Sequence, residues 1–270
     1  MRLTATNYYS AKANNAYFSV SQFKDFLKCP AMAMAKLNGQ YEPEYGRALL
    51  LGSFVDEMLT GTKKSQEKFI EDKRSELFKK NGEPYADVAQ AMETVSLVKK
   101  QPLMMHYLKG RHQKIMTGEI EGVPFKIKMD SFNPDEFITD LKYMASLRSP
   151  NLFTPMIEYW GYDIQAAVYQ EIVYQNIGKR LPFYFDVATK EKPAHMALGQ
   201  ISQYNIDQAM EVVRANVPTY QKIKMGELPA DRCEDYGCEY CTSTKIITEP
   251  IDTDLFGMSA AQIRGMRGEI

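Results

Sequence analysis

The chain has 270 residues, 44% of them hydrophobic and 25% charged, so it is long enough to bury a substantial core. Its 33 basic and 34 acidic residues leave a net charge of −1, which excludes binding to nucleic acid through a uniformly basic surface. No apolar run reaches the about 18 residues of a transmembrane helix, and the N-terminus lacks the apolar core of a signal peptide. We therefore expect a cytoplasmic protein without a membrane partner.

Helical patterns dominate the first hundred residues. Residues 1–18 are predicted to be a polar lead-in. Ser19 or Ser21 can cap a helix that continues to Lys28, because Phe23 and Phe26 recur at helical spacing. The spacing of apolar residues predicts four more helical segments, at 31–37, 47–59, 63–80 and 85–100. The segment at 63–80 is charged and is predicted to be exposed.

Strand patterns begin after this helical region. Residues 115–120 predict a first strand, and 124–130 and 137–142 predict a hairpin joined by the turn residues Asn133-Pro134-Asp135. The remaining pattern predicts a helix, two antiparallel strands and a last helix, at 157–177, 180–189, 195–201 and 205–225. This order predicts an α/β fold with a central mixed β-sheet flanked by helices. We expect it to be one domain over 19–245, followed by a tail over 246–270.

Two carboxylates and a lysine meet in the predicted hairpin. Asp140 and Lys142 are two residues apart in a strand, so their side chains point to the same face of the sheet, beside Asp130 on the preceding strand. Hard oxygen ligands of this kind hold Mg²⁺, which activates water and neutralises a phosphate. A lysine on the same face can orient that water. An exposed strand edge carrying acidic and basic residues would give the same pattern.

Two further elements accompany this motif. Gln165 and Tyr169 are four residues apart, which places them on one face of the helix that follows the hairpin. Gly52 is followed four residues later by Asp56. Together with Asp140-Leu141-Lys142, they resemble the RecB-like branch of the PD-(D/E)XK nuclease superfamily, and within it the RecE (exonuclease VIII) kind of phage-type exonuclease.

The resemblance implies a restriction-endonuclease-like core and a role for each matching residue. It implies Asp130, Asp140 and the backbone of Leu141 as metal ligands, Lys142 as the catalytic lysine, and Gln165 and Tyr169 on the DNA side. The family has histidine where this chain has Asp56; aspartate also binds hard cations, so we include it as a ligand and leave the number of metals open. For Glu119, a further carboxylate on the first strand, a structural role is the preferred interpretation.

The four cysteines are the second constellation. Without a secretory signal they indicate a reducing compartment, where close thiols bind metal more often than they form disulfides. Cys29, in the context Lys28-Cys29-Pro30, precedes the hairpin, and Cys233, Cys238 and Cys241 follow it. Related RecB-like nucleases bind a [4Fe–4S] cluster with such a set, which joins the two ends of the chain. Zinc, or four reduced thiols without a ligand, are the alternatives.

The resemblance therefore implies an exonuclease dependent on Mg²⁺ or Mn²⁺. Its expected substrate is linear double-stranded DNA with free ends, digested for recombination or repair. The expected partners are a single-strand annealing protein and further copies of the chain. The alternative is a DNA-binding protein on a nuclease fold that has lost its chemistry, which Asp56 in place of histidine motivates.

Overall fold

The fold is built on one five-stranded sheet. A computed structural model describes residues 1–43, 46–150, 153–233 and 237–247, and beyond them only positions 250, 253–255, 258, 262, 265 and 266. The strands are β1 (Arg111–Ile120), β2 (Val123–Asn133), β3 (Phe137–Met144), β4 (Phe183–Thr189) and β5 (Met196–Gln200).

The helices of the described residues lie before, between and after these strands. Those before the sheet are α1 (Ala11–Ala16), α2 (Val20–Lys28), α3 (Pro30–Leu37), α4 (Gly46–Thr60), α5 (Lys63–Asp72), α6 (Arg74–Leu77), α7 (Ala86–Val98) and α8 (Pro102–Tyr107). Those after β3 are α9 (Met156–Tyr159), α10 (Tyr162–Ile177), α11 (Gln203–Lys224) and α12 (Glu239–Ser243), with a short 3₁₀ helix at Thr253–Leu255. No helix in this described part is both long and apolar enough to cross a membrane.

The strand order is β1-β2-β3-β4-β5, the same as the order along the chain. Every neighbouring pair is antiparallel except β3 and β4, which run parallel with Asp140 opposite Phe185 and Lys142 opposite Val187. A parallel pair needs a crossover, and α10 supplies it. The predicted mixed sheet flanked by helices is confirmed.

Helices cover both faces of the sheet and bury two separate cores. On one face, α10 and α11 pack with α2 against β1, β2 and β4, in a core that includes Phe23, Phe125 and Val168. On the other face, α4, α7 and α8 enclose a smaller core around Phe54 and Val95. Apolar burial on this scale is the main favourable contribution to folding.

Local chemistry explains where several helices begin and end. The Ser19 hydroxyl accepts from the N–H of Gln22 and caps α2, as predicted, and α3 begins at Pro30, which needs no N–H partner there. The single helix predicted over 157–177 is wrong. Gly161 separates α9 from α10, because its φ of +61° is in the left-handed region and cannot continue the helix. A Cβ at this position would also lie 2.7 Å from the side chain of Lys24.

The N-terminal residues are part of the packed structure as well. Tyr8, Ala13 and Phe18 are buried, and the backbone of Phe18 exchanges hydrogen bonds with Pro124 and Lys126 of β2. The polar composition of this segment does not reveal that role, because its anchor is a lysine of β2. Most of the predicted tail over 246–270 lies outside the described residues.

Candidate functional site

β3 places the predicted acid and lysine side by side. Nζ of Lys142 lies 2.6 Å from Oδ2 of Asp140, and both side chains occupy the sheet face that α10 covers. Asp140 is 4% exposed. The period of two along a strand places both side chains on one face, as the sequence indicated, and there they form an ion pair.

Asp130 of β2 joins this pair through the backbone of β3. Its Oδ2 accepts a hydrogen bond of 3.0 Å from the N–H of Leu141. Burial raises the pKa of Asp130 well above its usual range, and the negative charges of Asp140 and Asp56 raise it further. The structure thus brings Leu141 into the site through its N–H; a metal contact of its carbonyl stays a prediction.

Asp56 of α4 reaches the site through a residue that the sequence did not suggest. Nε2 of Gln113 donates to Oδ2 of Asp56 at 2.8 Å and to Oδ1 of Asp130 at 3.3 Å. Gln113 has φ of 51°, an uncommon backbone conformation for this residue type. Burial raises the pKa of Asp56 even though Thr60 donates a hydrogen bond to it. No pattern in the sequence marks Gln113, since its position depends on how β1 pairs with β2.

The two predicted DNA-side residues of α10 face the same centre. Gln165 accepts from Nζ of Lys142 at 3.0 Å and donates to Oδ1 of Asp140, while the Tyr169 hydroxyl donates to the carbonyl of Lys128 at 3.0 Å. They are only 8% and 9% exposed. Both therefore hold the acid–lysine pair and β2 in place, and direct contact with DNA stays a prediction.

A second lysine lies near the first. Burial opposes a charge on Lys142, but Asp140 outweighs it and raises the pKa of Lys142, whose Nζ lies 4.5 Å from the Tyr162 ring centroid. Burial and the positive charge of Lys142 lower the pKa of Lys24 to about 8. Nζ of Lys24 donates to the carbonyl of Trp160 at 2.9 Å. Helical spacing was the signal for Lys24 in the sequence. It places Lys24 on the same face of α2 as Val20, which lies one turn earlier and is buried.

These side chains line a cavity of about 1010 Å³ that runs from the carboxylates to the N-terminal segment. Glu119 lies elsewhere, exposed on β1, where its N–H donates to Oε1 of Gln175. That position agrees with a structural role. Its lining includes residues of the N-terminal segment and of β2 as well as those around the carboxylates, namely Tyr8, Tyr9, Asn14, Lys126, Lys128, Asp56, Gln113, Asp130, Asp140, Lys142, Gln165 and Tyr169.

The carboxylate end of the cavity is suited to a divalent cation. Three aspartates meet there, and Oδ2 of Asp140 is buried with no hydrogen-bond partner among the described residues apart from its ion pair with Lys142. Buried carboxylates that repel one another are stabilised by a hard cation, for which oxygen is the preferred ligand. Asp130 and Asp140, with Asp56 beside them, are the residues that could hold it.

The four cysteines converge at a separate place, between α3 and the C-terminal residues. Their four sulfur atoms all lie within 4.8 Å of one another, with Sγ of Cys241 3.5 Å from that of Cys29 and 3.7 Å from that of Cys233. Cys29, Cys238 and Cys241 are buried. A set of four thiols at this spacing can bind a metal, as the sequence indicated.

Comparison with known proteins identifies the family of this chain. Residues 19–244 match the family model described as a PDDEXK-like domain of unknown function (DUF3799). The chain belongs to the PD-(D/E)XK nuclease superfamily. A protein from Eubacterium rectale, whose crystal structure is described as that of a "Putative exonuclease", is 40% identical, with a TM-score of 0.86 over 96% of this chain and 99% of that one. No curated protein matches the chain. The predicted membership of the PD-(D/E)XK superfamily is thus confirmed, and the roles of Asp130, Asp140 and Lys142 stay predictions.

Proposed function

We propose that this PD-(D/E)XK chain is a divalent-metal-dependent exonuclease that digests linear double-stranded DNA from its ends. The observation that carries the proposal is the meeting of Asp130, Asp140 and Lys142 on the wall of one large cavity. The similar protein described as an exonuclease supports the reaction type. We further propose that this digestion exposes a single strand for recombination. Its partners would be an annealing protein and further copies of the chain.

Each residue has a distinct part in this reaction. Bound at Asp130 and Asp140, Mg²⁺ or Mn²⁺ would neutralise the scissile phosphate and lower the pKa of the attacking water. The ammonium of Lys142 stays protonated beside Asp140 and can stabilise the charge that develops on the phosphate. Gln165 fixes both members of that pair through its amide. Gln113 holds Asp56 and Asp130 at a set separation.

The decisive experiment compares linear and circular duplex DNA. With Mg²⁺ or Mn²⁺, we expect release of nucleotides from end-labelled linear duplex and no nicking of a closed circle. Lys142→Ala is expected to lower the rate about 10²- to 10³-fold, because charge stabilisation in the transition state is lost. Lys99→Ala, which changes an exposed lysine at the end of α7, is the matched control and should cleave like the wild type.

Other outcomes would contradict the proposal in different ways. Cleavage of the circle would make the protein an endonuclease. Equal rates for wild type and Lys142→Ala would place the chemistry elsewhere. Salt-sensitive binding to DNA without cleavage under any divalent metal would favour the binding protein that Asp56 in place of histidine motivates.

For the four cysteines, we propose a single zinc ion. Thiolates about 2.3 Å from a tetrahedral zinc are about 3.8 Å apart, close to the sulfur separations of 3.5 and 3.7 Å. A [4Fe–4S] cluster places four iron atoms between its sulfur ligands and therefore needs them farther apart. Metal analysis of anaerobically purified protein should find one zinc per chain and a colourless solution. Iron with a brown colour would establish the cluster, and four titratable thiols without metal would contradict both.

A further inference from the structure

Part of the wall of the cavity, referred to below as the groove, is formed by residues that precede the family match. Tyr8 and Asn14 are fixed there by Lys126 of β2, whose Nζ donates to the carbonyl of Tyr8 and, at 2.7 Å, to Oδ1 of Asn14. Lys126 is 1% exposed and Tyr8 is 5% exposed. The buried ammonium donates both hydrogen bonds and so attaches this segment to β2, since leaving that charge unpaired would be costly.

The anchored Tyr8 positions its neighbour, Tyr9, at the groove. The Tyr9 ring meets the Tyr8 ring edge-on with 4.9 Å between centroids, and Nζ of Lys128 lies 4.7 Å from the Tyr9 centroid. Tyr9 is nevertheless 67% exposed. Lys128 lies over the ring, and most of the Tyr9 side chain stays accessible where it lines the cavity.

The same strand connects this aromatic site to the carboxylates. Lys128 precedes Asp130 by two residues on β2, which is about 7 Å along a strand, and both line the one cavity. The Tyr169 hydroxyl, bound to the carbonyl of Lys128, fixes this part of β2 against α10. Lys128 and Tyr9 therefore share a cavity with the carboxylates.

An accessible aromatic ring beside an ammonium group has the chemistry of a binding site for an unpaired nucleic-acid strand. Unpaired bases stack on tyrosine whatever their sequence, and lysines beside the ring contact the backbone phosphates. A base inside a duplex has both of its faces occupied by its neighbours, so the site selects an unpaired strand. Local lysines are needed for this, because the chain has a net charge of −1.

We propose that Tyr9 and Lys128 form a binding site for an unpaired strand of the nucleic acid, with Tyr9 stacking on a base and Lys128 contacting a phosphate. The identity of the ligand rests on the proposed nuclease function. Tyr9 itself lies outside the residues that match the family model, which begin at position 19.

The test measures binding without cleavage. Anisotropy of a short fluorescein-labelled oligothymidine is followed in Ca²⁺ instead of Mg²⁺. Tyr9→Ala is expected to weaken binding roughly 5- to 150-fold, the effect of losing one stacked base, while Tyr9→Phe keeps the ring and binds like the wild type. Tyr204→Ala is the matched control, since Tyr204 is 71% exposed on α11. Equal melting temperatures confirm that the variants fold.

Lys128 has a different signature in the same assay. Lys128→Gln should lower the slope of log affinity against log salt by about 0.7, the contribution of one phosphate contact to a single strand. Tyr9→Ala should leave that slope unchanged. An unchanged slope for Lys128→Gln would overturn the assignment of Lys128.

The two proposals can fail separately. If Tyr9→Ala binds the oligonucleotide as tightly as the wild type, the proposed binding site for an unpaired strand (the strand site) is wrong, even if the protein cleaves duplex ends. Loss of oligonucleotide binding in Tyr9→Ala supports the strand site, even if the wild type cleaves nothing. An equal loss of affinity for a blunt hairpin duplex would overturn the selection of an unpaired strand.

Discussion

The aspartate centre and the cysteine cluster are assembled in opposite ways. Asp130 and Leu141, which share a hydrogen bond, are 11 residues apart on adjacent strands. Cys29 and Cys241, whose sulfurs are 3.5 Å apart, are separated by 212 residues. The hydrogen bond between Asp130 and Leu141 needs only the register of neighbouring strands, although Asp56 of α4 joins this site by packing, through Gln113. The cysteine cluster exists only after both ends of the chain have folded back to one place.

The two sites also differ in what they contribute to stability. The aspartate centre gathers buried like charges, so Asp130 and Asp56 both have raised pKa values and oppose folding when ionised. The cysteine cluster gathers groups that a metal would cross-link, which favours the folded state. In the functions proposed above, the first site would serve chemistry at a cost in stability and the second would hold the two ends of the chain together.

The largest effect is expected at the cluster. Cys241→Ser replaces a thiolate with a poor ligand, and we expect the free energy of unfolding to fall by more than about 4 kcal/mol, as for other structural metal sites. Denaturant unfolding followed by circular dichroism measures it. Ser243→Ala, an exposed change in the same helix α12, should stay within about 0.5 kcal/mol of the wild type. An unchanged unfolding midpoint in Cys241→Ser would show that the thiols bind no metal.

The second prediction concerns the aspartate centre and has two parts. Asp130→Asn should lower DNA cleavage at least about 10²-fold and, without divalent metal, raise the free energy of unfolding by about 0.5–2 kcal/mol. Because the folded pKa of Asp130 lies above the unfolded one, the wild type loses stability as pH rises above about 4, so the gain appears only at higher pH.

Lys142→Ala is the informative comparison for that variant. It should also lose activity but gain no stability, because it leaves Asp140 without its ammonium partner. If Asp130→Asn melts at a lower temperature than the wild type at neutral pH, the hydrogen bond from Leu141 to Asp130 outweighs the charge repulsion in the centre.

The third effect is expected on the opposite face of the sheet, and it depends on pH. Asp186 of β4 is fully buried, and neither of its carboxylate oxygens has a hydrogen-bond partner among the described residues. Burial raises the pKa of Asp186 to about 7. Between about pH 4 and 7 the unfolded chain has lost this proton while the folded chain keeps it, so stability falls by up to about 1.4 kcal/mol per pH unit.

Asp186→Asn isolates this effect of pH. The difference in melting temperature between variant and wild type should grow from pH 4 to pH 7 and then stay constant. Asp207→Asn, an exposed change on α11, should show no such trend. A constant difference for Asp186→Asn across this range would mean that the carboxylate titrates as an exposed one does.

The sequence predicted more of the site around Asp130 and Asp140 than of the residues that surround it. Alternation along β3 placed Asp140 and Lys142 on one face, and helical spacing placed Gln165 and Tyr169 together. It could not indicate that Gln165 binds both members of the pair, because that contact depends on how α10 packs across β3 and β4.

Other residues were invisible in the sequence for related reasons. Gln113 links Asp56 to Asp130 through an unusual backbone conformation, and no local pattern specifies it. Lys126 looks like an ordinary polar position on a strand, yet it is buried because the N-terminal segment lies over it. The open position of Tyr9 follows from that anchor.

The sequence by itself determined the order of the five strands, the shared face of Asp140 and Lys142, and the number of thiols available for a metal. These follow from backbone periods and residue chemistry, which act over a few residues. Only the tertiary structure decided that Cys29 meets Cys241, that Asp56 approaches Asp130, and that the first residues form one wall of the groove. Such meetings depend on packing between elements distant in sequence, where burial and charge rather than local spacing select the partners.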